Sequence, residues 1–491
     1  MMYSLGFDIG SSSVKVALLD VKTGKAIDSA FYPKEEMAIS SPQPDWAEQH
    51  PKDWWANLKL ALKDVLTDSK VDVTQIKSIG ISYQMHGLVV VDKEGEVLRP
   101  AIIWCDSRAI PYGNAAFEKL GEEHCLSHML NSPGNFTASK LKWIKENEPE
   151  VFNQVDKIML PGDYIAYRLT GDMVTTKSGL SEGIFWDFQT QSVSKELLDY
   201  YGFNESVIPA IKDTFEIQGR LTEEVAKELN LTAGVAVSYR AGDQPNNALS
   251  LNVLNPGEVA ATAGTSGVVY GVSDQLKYDP KGRVNTFAHV NHSNTDPRLG
   301  VLLCINGTGI LNSWLRKNVA AELDYVQMNE EASVVAPGSN GLLFFPFGNG
   351  AERVLQNENP GSSLVNLNFN HHTRAHVIRA AQEGIAFSFK FGMDVMELTG
   401  IETKVIKAGK ANMFLSPIFR QTLADVTGST IELYETDGAL GAARGAAYGA
   451  GLYSSLSEAF DSLTKVGVIE PNKENEATLK STYEEWKSKL K

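Results

Sequence analysis

At 491 residues the chain is too long for one ordinary hydrophobic core, which predicts two or three domains. Its formal net charge of −15 argues against nonspecific nucleic-acid binding, although backbone N–H groups and a metal ion can still hold a phosphate. The three cysteines, Cys105, Cys125 and Cys304, are widely spaced and form no CxxC pair, so neither a disulfide framework nor a zinc site is expected.

The first residues show no basic segment followed by an apolar one, so no signal peptide is predicted. The sequence also has no run of about 18 apolar residues, the length that a membrane span requires. Together with the cysteine pattern, these features predict a cytoplasmic protein.

Residues 3–20 predict a hairpin: an apolar strand ends at Asp8, a turn of glycine and serine follows, and a second strand starts at Val14. A small polar turn can point its N–H groups at an anion, and Asp8 can hold Mg²⁺ through water. An ordinary hairpin with turn-favouring residues explains the segment equally well.

Two later strand ends carry polar groups. The predicted strand Ser78–Ser82 leads into Tyr83-Gln84-Met85-His86-Gly87, where the histidine is either a ligand contact or a satisfied interior residue. A predicted strand within residues 99–108 delivers Trp104, Asp106 and Arg108 to its end, where open α/β sheets bind ligands. An aromatic face, a carboxylate and a guanidinium suit a polyol, and a local Asp–Arg surface pair is the alternative.

Residues 111–240 alternate helical and strand-like patterns, with a helix predicted over Thr137–Asn147. Their spacing indicates no chemistry. The pattern then predicts a strand at Ala236–Tyr239, a turn at Ala241–Asn247 that holds Asp243, and a helix at Ala248–Val253. Our hypothesis is that Asp243 acts as a general base.

The tip Gly264-Thr265-Ser266-Gly267 lies between the predicted strands Glu258–Ala263 and Val268–Val272. It repeats the strand, small polar tip and strand of the N-terminus about half a chain later. This echo predicts two similar domains, each opening with a hairpin that holds phosphate, on the two sides of a cleft.

Later elements are mostly helical. A long apolar helix is predicted over Ala375–Gly400, a small-residue helix suited to close packing over Ala439–Tyr448, and a solvated helix over the last thirty residues. A strand at Thr403–Ile406 ends at Lys407-Ala408-Gly409-Lys410-Ala411-Asn412.

With these motifs placed, the chain resembles the sugar kinases of the FGGY family over nearly its whole length. The resemblance implies an α/β protein with two ribonuclease-H-like domains of the actin-type ATPase fold, each a mixed sheet flanked by helices, with a cleft between them. Residues 1–247 would carry the sugar site and the first phosphate loop, and residues 248–491 the nucleotide site.

The resemblance rests on six motifs: Asp8–Lys15, Gln84–Gly87, Trp104–Arg108, Gly242-Asp243, Gly264–Gly267 and Lys407–Asn412. It implies Asp243 as the catalytic base and a metal held by Asp8 and Asp243. It implies sugar contacts from Gln84, Met85, His86, Gly87, Trp104, Asp106, Arg108, Asp243 and Gln244. It implies nucleotide contacts from Gly10, Ser11, Ser12, Lys15, Gly264, Thr265, Ser266, Gly309, Ala408, Gly409 and Asn412.

The sequence departs from the family pattern at two places. Gln244 follows the catalytic Asp where family members that act on xylulose have Asn, which concerns one sugar contact. The adenosine motif, glycine-rich in the family, reads Lys407-Ala408-Gly409-Lys410 here, so side chains are expected to crowd the nucleotide or add charge near it.

The implied reaction is ATP-dependent phosphorylation of D-xylulose at its terminal primary hydroxyl, giving D-xylulose 5-phosphate and ADP, with Mg²⁺ as cofactor. The expected partners are the sugar and ATP, with neither nucleic acid nor a membrane, and a homodimer stays open beside a monomer. One alternative is a kinase of another polyol, such as ribulose, glycerol or gluconate. Another is a non-catalytic sugar or nucleotide sensor, or a chaperone-like ATPase.

Overall fold

A computed structural model of the protein describes residues 1–490. By contacts, the chain forms two compact units, each of which collects more than one segment. The first unit comprises Met1–Asn252, Phe287–Leu299 and Thr436–Leu463, and the second comprises Val253–Thr286, Gly300–Glu435 and the residues from Thr464 onward. The domain boundary predicted between residues 247 and 248 stays a prediction.

The strands, in chain order, are β1 Tyr3–Ile9, β2 Val14–Asp20, β3 Lys25–Tyr32, β4 Glu48–Gln49, β5 Ile76–Tyr83, β6 Val89–Val91, β7 Ala101–Ile102, β8 Lys157–Met159, β9 Val174–Thr176, β10 Trp186–Asp187, β11 Ser192–Val193, β12 Ala210–Lys212, β13 Gly219–Arg220, β14 Ala236–Gly242, β15 Glu258–Ala263, β16 Gly267–Ser273, β17 Asn285–Ala288, β18 Leu299–Ile305, β19 Leu343–Phe347, β20 Gly361–Val365, β21 Val405–Gly409, β22 Thr430–Tyr434 and β23 Lys465–Ile469.

The α-helices are α1 Pro51–Ser69, α2 Ile110–Leu120, α3 Glu122–His128, α4 Thr137–Asn147, α5 Pro149–Phe152, α6 Pro161–Thr170, α7 Lys177–Glu182, α8 Lys195–Tyr201, α9 Glu223–Leu229, α10 Asp243–Ser250, α11 Gly309–Asn318, α12 Tyr325–Ser333, α13 Arg374–Glu397, α14 Pro417–Thr427, α15 Gly438–Gly449 and α16 Lys473–Ser488. Short 3₁₀ helices lie at Val73–Gln75, Glu205–Val207, Ser339–Gly341, Glu352–Leu355, Asn412–Leu415 and Glu458–Phe460. Among residues 1–490, none of these helices is both long and apolar enough to cross a membrane.

The first unit is built on a mixed sheet of strand order β13-β14-β5-β1-β2-β3. The hairpin β1–β2 is antiparallel, whereas β5 runs parallel to both β1 and β14. Because these parallel strands are almost entirely buried on both faces, their sequences show no regular alternation of apolar and exposed polar residues.

The second unit repeats this plan in its sheet, where β18, β16, β15, β21, β22 and β23 lie side by side in that order. Its hairpin β15–β16 is antiparallel, and β21 runs parallel to both β15 and β22. The echo between the two hairpins that the sequence predicts is therefore present, and each unit is a mixed sheet flanked by helices.

Helix α15 packs backbone against backbone on the first sheet, which explains why its sequence is rich in glycine and alanine. A Cβ added at Gly6 would lie 1.8 Å from the carbonyl oxygen of Ala439, and one at Gly80 would lie 2.0 Å from that of Ala442. The side-chain hydroxyl of Ser4 donates to the carbonyl of Ala443 at 2.8 Å. The prediction of a closely packed helix is confirmed.

Three local predictions differ from the structure. Asp243 does not lie in a turn: β14 extends through Gly242, and Asp243 is the first residue of α10. Within residues 99–108 only Ala101–Ile102 forms a strand. The last thirty residues contain strand β23 as well as the predicted helix, because β23 closes the second sheet against β22, a pairing that local pattern does not reveal.

Candidate functional site

A cavity of about 540 Å³ lies in the first unit, at the edge of the sheet where its parallel strands end. It brings together residues that the sequence predicts for three different roles: phosphate, sugar and metal binding. Its lining consists of Asp8, Gly10, Ser11, Ser12, Ser13, Lys15, Phe31, Gln84, Trp104 and Asp243.

Sheet topology accounts for this convergence. Strands β1, β5 and β14 are parallel neighbours, and Asp8 pairs in register with Ser82, while Tyr83 pairs with Gly242. Asp8, Gln84 and Asp243 therefore stand at the carboxyl ends of adjacent strands, where open α/β sheets place ligand groups. Between β1 and β2, Gly10 N donates to the carbonyl of Ser13 at 3.0 Å and closes the tip that faces the cavity.

Both carboxylates of this cavity, Asp8 and Asp243, have raised pKa values. Burial raises the pKa of Asp243 to about 7, and the nearby charge of Asp8 adds to the shift. Hydrogen bonds from the backbone and side chain of Gln244 act in the opposite direction. The pKa of Asp8 is also raised, mainly by burial and further by Asp437, whereas a hydrogen bond from Ser82 and the charge of Lys15 oppose the shift. A carboxylate with a pKa near neutrality is suited to accept a proton during a reaction.

Glu182 is a buried carboxyl beside this site that the sequence analysis did not identify. Burial raises its pKa well above the ordinary value, and the charge of Asp243 raises it further, so the environment of Glu182 favours the protonated carboxyl. Its Oε1 accepts from the backbone N–H of His86 at 3.5 Å. Glu182 ends α7, inside a stretch whose spacing carries no signal of chemistry.

His86 is held in an unusual backbone conformation, with φ of 62°, by two residues that the sequence analysis also did not connect with it. The buried amine of Lys140 donates to the carbonyl of His86 at 2.7 Å and to that of Ile103 at 3.0 Å. The ring Nδ1 of His86 lies 3.1 Å from the carbonyl oxygen of Glu182. Since a carbonyl only accepts, Nδ1 carries the proton, which fixes the tautomer of a neutral ring.

Several predicted sugar contacts lie outside the lining of the cavity. Met85 is buried against Gly242, and Gly87 packs on Pro161. Gln244 lies next to Asp243 on α10 and is bonded to it rather than lining the cavity.

Asp106 and Arg108 form a buried pair with each other. Asp106 accepts from Arg108 Nη2 at 2.7 Å and from Ala47 N at 2.6 Å. The guanidinium of Arg108 lies 3.7 Å above the ring of Trp46 and also pairs with Glu48 at 2.7 Å. Trp104, by contrast, remains 53% exposed and lines the cavity.

A second cavity, of about 490 Å³, lies within the second unit. The tip of its first hairpin meets the start of α11: Gly309 N donates to the carbonyl of Gly264 at 2.8 Å, and Ile310 N to that of Thr265 at 3.2 Å. A Cβ at Gly309 would lie 2.4 Å from that Gly264 oxygen, so this approach requires glycine. The lining comprises Ala263, Gly264, Thr265, Gly309, Ile310, Asn312, Ser313, Tyr325, Asn329, Asn412, Met413, Leu415 and Ser416.

The adenosine-motif segment contributes to this second cavity only in part. Asn412 lines it, whereas Ala408 and Gly409 end β21 outside the lining. Ser266 points to Asn306, with its hydroxyl 3.2 Å from Oδ1. The amine of Lys407 lies 3.1 Å from Glu258, so its charge is neutralised within the sheet rather than added to the cavity.

Within residues 1–490, no group of three or more His, Cys, Asp or Glu side chains lies close enough together to hold a metal ion by itself. A metal at the first cavity would therefore need water or ligand oxygens in addition to the two predicted carboxylates, which is how Mg²⁺ is commonly bound beside phosphates.

Two mixed sheets with matching hairpins, and an acidic cavity beside one of the small polar tips, are features of a phosphate-handling enzyme. The model of the N-terminal domain of the FGGY family of carbohydrate kinases matches residues 3–250, and the model of its C-terminal domain matches residues 259–450. The chain belongs to this family of carbohydrate kinases, which have the actin-type ATPase fold that the sequence predicts.

Among its relatives, the chain is 32% identical to a xylulose kinase of Lactococcus lactis, over all of this chain and 97% of that protein. It is also 32% identical to a xylulose kinase of Escherichia coli, over 90% of this chain and 88% of that protein. Among solved structures, a xylulose kinase from Rhodospirillum rubrum superposes with a TM-score of 0.88 at 25% identity, over 99% of this chain and 98% of that one.

Proposed function

We propose that this carbohydrate kinase transfers the γ-phosphoryl group of ATP to the terminal primary hydroxyl of D-xylulose, giving D-xylulose 5-phosphate and ADP. The observation that carries the proposal is the first cavity, where the Asp243 carboxylate lines the same space as Gln84 and the small polar tip after β1. The similar kinases from Lactococcus lactis and Escherichia coli are named as xylulose kinases, which supports xylulose as the substrate. The two domains of the family cover most of the chain.

In this proposal Asp243 accepts the proton of the attacking hydroxyl. Its position at the first turn of α10 holds the carboxylate still, and its pKa of about 7 matches the proton acceptor to neutral conditions. Gln84 and Trp104 contact the sugar, the aromatic face of Trp104 covering C–H surface. Thr265 and the N–H groups of the tip Gly264–Gly267 contact the phosphates of ATP.

Mg²⁺ belongs to the same proposal. The charge of Asp8 raises the pKa of Asp243, and the charge of Asp437 raises that of Asp8, so a divalent cation would relieve a repulsion that the protein itself contains. Asp8 and Asp243 would hold the ion. The ion would neutralise charge on the phosphates.

The test is ADP release measured across D-xylulose, L-ribulose, glycerol and gluconate. D-Xylulose is expected to give the highest kcat/KM, and preference for another compound would replace the substrate. Asp243→Ala and the closer mimic Asp243→Asn should both lower kcat by about 10²-fold or more, the scale of a general base. A parental rate in Asp243→Asn would remove Asp243 from that role. ATP hydrolysis that no sugar changes would favour a sensor or a chaperone-like ATPase.

A cytoplasmic location and assembly as a homodimer are parts of the proposal that need their own measurements. Sedimentation velocity separates a monomer of 53.7 kDa from a dimer. Cell fractionation tests the location.

A further inference from the structure

A chain of buried amides lies behind the first cavity. Gln49, in the two-residue strand β4, is only 3% exposed, and Gln84, which follows β5, is 2% exposed. Gln84 Nε2 donates to Gln49 Oε1 at 3.1 Å. The indole Nε1 of Trp54, in α1, donates to the same oxygen at 3.1 Å.

The orientation of the Gln49 amide is fixed by the chemistry of its partners. An indole nitrogen can only donate, so the atom that faces Trp54 must be the oxygen of Gln49. On the other side, Gln49 Nε2 donates to the carbonyls of Ser11, at 2.7 Å, and Ala38, at 3.4 Å. Because carbonyls can only accept, these two contacts require the nitrogen at that end. The three contacts with Trp54, Ser11 and Ala38 agree on one orientation of the Gln49 amide.

The orientation of Gln84 follows from that of Gln49. Since Gln49 presents its oxygen, Gln84 must turn its NH₂ group toward it and its own oxygen away. That oxygen, Gln84 Oε1, is buried and has no hydrogen-bond partner among residues 1–490, and Gln84 lines the first cavity. A buried acceptor without a partner is costly, so it is suited to a ligand that supplies a donor.

We propose that Gln49 is a positioning residue for sugar binding: with Trp54 it fixes Gln84 so that the cavity presents an acceptor oxygen. A hydroxyl hydrogen of the substrate must then point at Gln84, and a carbonyl oxygen of the ketose cannot occupy this point. Gln49 also ties this sugar contact to the first phosphate loop through the Ser11 carbonyl. The inference rests on the proposed phosphorylation of a sugar.

The consequence is measurable as a coupling between residues that do not touch. Trp54 does not line the cavity, and its N–H reaches the sugar only by holding Gln49, which in turn orients Gln84. Trp54→Phe keeps an aromatic ring and removes one of the groups that orient Gln49, so only the carbonyls of Ser11 and Ala38 then hold the two amides in this orientation. Gln49→Met keeps the length of the side chain and removes its hydrogen bonds.

The experiment is a double-mutant cycle read out as the Kd of the sugar by calorimetry, with KM and kcat measured in parallel. Gln84→Leu is expected to weaken sugar binding about 3- to 10-fold, the range of one neutral hydrogen bond. Trp54→Phe and Gln49→Met should each weaken it about 3-fold with Gln84 present and leave it unchanged in the Gln84→Leu background. For Trp54→Phe, kcat should change less than KM.

A purely structural role of Trp54 would weaken binding by the same factor in both backgrounds, and that result would overturn the proposal. Thermal melting of every variant identifies one that fails to fold, and the cycle then rests on the other of Trp54→Phe and Gln49→Met. Monodeoxy analogues of D-xylulose give an independent measurement. One of them should lose affinity for the parent protein and match the unmodified sugar in Gln84→Leu, and equal losses in both proteins would contradict the assignment.

The sugar for the cycle is whichever of D-xylulose, L-ribulose, glycerol and gluconate the parent protein binds most tightly. Tight binding of another compound would replace the proposed substrate and leave the amide orientation to be decided by the cycle. Binding of D-xylulose with additive effects in the cycle would refute the amide orientation alone. Binding of none of the four compounds would refute both proposals.

Discussion

Lys15 of the first hairpin pairs with Asp437 at 2.6 Å, across 422 positions of sequence. The second carboxylate oxygen of Asp437 accepts from Leu440 N at 2.9 Å and caps the N-terminus of α15. One side chain therefore neutralises the lysine of the predicted phosphate loop and fixes the helix that packs backbone to backbone on the first sheet. Each partner of the ion pair is about one third exposed, at 32% and 34%.

These two roles of Asp437 separate by substitution. Asp437→Ala removes both the cap and the ion pair and should lower the free energy of unfolding by about 1 kcal/mol. Asp437→Asn keeps a capping oxygen and loses only an exposed pair, so a loss of about 0.5 kcal/mol or less is expected. Urea unfolding measures both values. An equal loss in the two variants would show that the ion pair, and not the cap, stabilises α15.

Glu182 should tolerate loss of its charge because its buried environment already disfavours the charged form. Burial and the charge of Asp243 raise its pKa well above the ordinary value, so Glu182→Gln mimics the favoured, uncharged form with an amide of the same shape. The expected kcat/KM of Glu182→Gln lies within about 3-fold of the parent protein, a difference of well under 1 kcal/mol. Steady-state kinetics at pH 7 measure it.

Glu182→Ala is the matched variant. It leaves the His86 N–H without its acceptor and opens a cavity beside Asp243, so a loss of about 2 kcal/mol in stability is expected. A kcat in Glu182→Gln as low as that of Asp243→Asn would mean that the carboxyl of Glu182 takes part in proton transfer.

Much of the first cavity could be predicted from sequence because its groups follow strands directly. Asp8, Gln84 and Asp243 each stand where an apolar run ends, and parallel neighbours bring such ends to one edge. The doubled hairpin pattern likewise predicted the two similar sheets. These are local signals combined with one rule of topology.

The remaining site residues depend on packing that no local pattern encodes. Gln49 lies in a short strand after a loop-like segment, and its proposed role depends on its hydrogen bonds with Trp54 and Ser11. Glu182 ends a helix whose contact with His86 joins residues 96 positions apart. Asp437 is of a residue type that commonly caps helices and it precedes a predicted helix, but its pairing with Lys15 does not follow from their spacing. The burial of Asp106 and Arg108, and the packing of Arg108 on the ring of Trp46, could likewise not be predicted from the sequence.

His292 should make the first unit less stable in mild acid. Burial lowers its pKa from 6.5 to about 4, and the charge of Lys177 adds to the shift. The unfolded chain binds this proton more tightly, so the stabilisation is complete above about pH 6.5 and is lost as the pH falls toward 4. Because the residue is partly exposed, about 1–2 kcal/mol is expected.

The measurement compares urea unfolding of the parent protein and His292→Gln between pH 4 and 7. Gln has no titrating ring, so the difference in unfolding free energy between the two proteins should shrink as the pH falls. The rings of Phe188 and His292 pack edge to face in the parent, with centroids 5.8 Å apart. Loss of this contact should lower the unfolding free energy of His292→Gln by the same amount at every pH. A difference that stays the same across the range would show that His292 titrates normally.

Gly409 allows the adenosine motif to be tested apart from folding. It is the last residue of β21, its φ lies outside the left-handed region, and a Cβ added there would meet no atom within 4 Å. Gly409→Ala should therefore change the free energy of unfolding by no more than about 0.5 kcal/mol. The resemblance to the family's adenosine motif implies a nucleotide contact at this position, and on that prediction the KM for ATP should rise about 5-fold, while the KM for the sugar stays constant.

Gly80→Ala is the contrasting variant, because its Cβ would lie 2.0 Å from the Ala442 carbonyl of α15. It should cost about 2–3 kcal/mol of stability by overpacking. An unchanged KM for ATP in Gly409→Ala would separate the end of β21 from the nucleotide site. The second cavity, lined by Asn412 but not by Gly409, would then define the nucleotide contacts of the second unit.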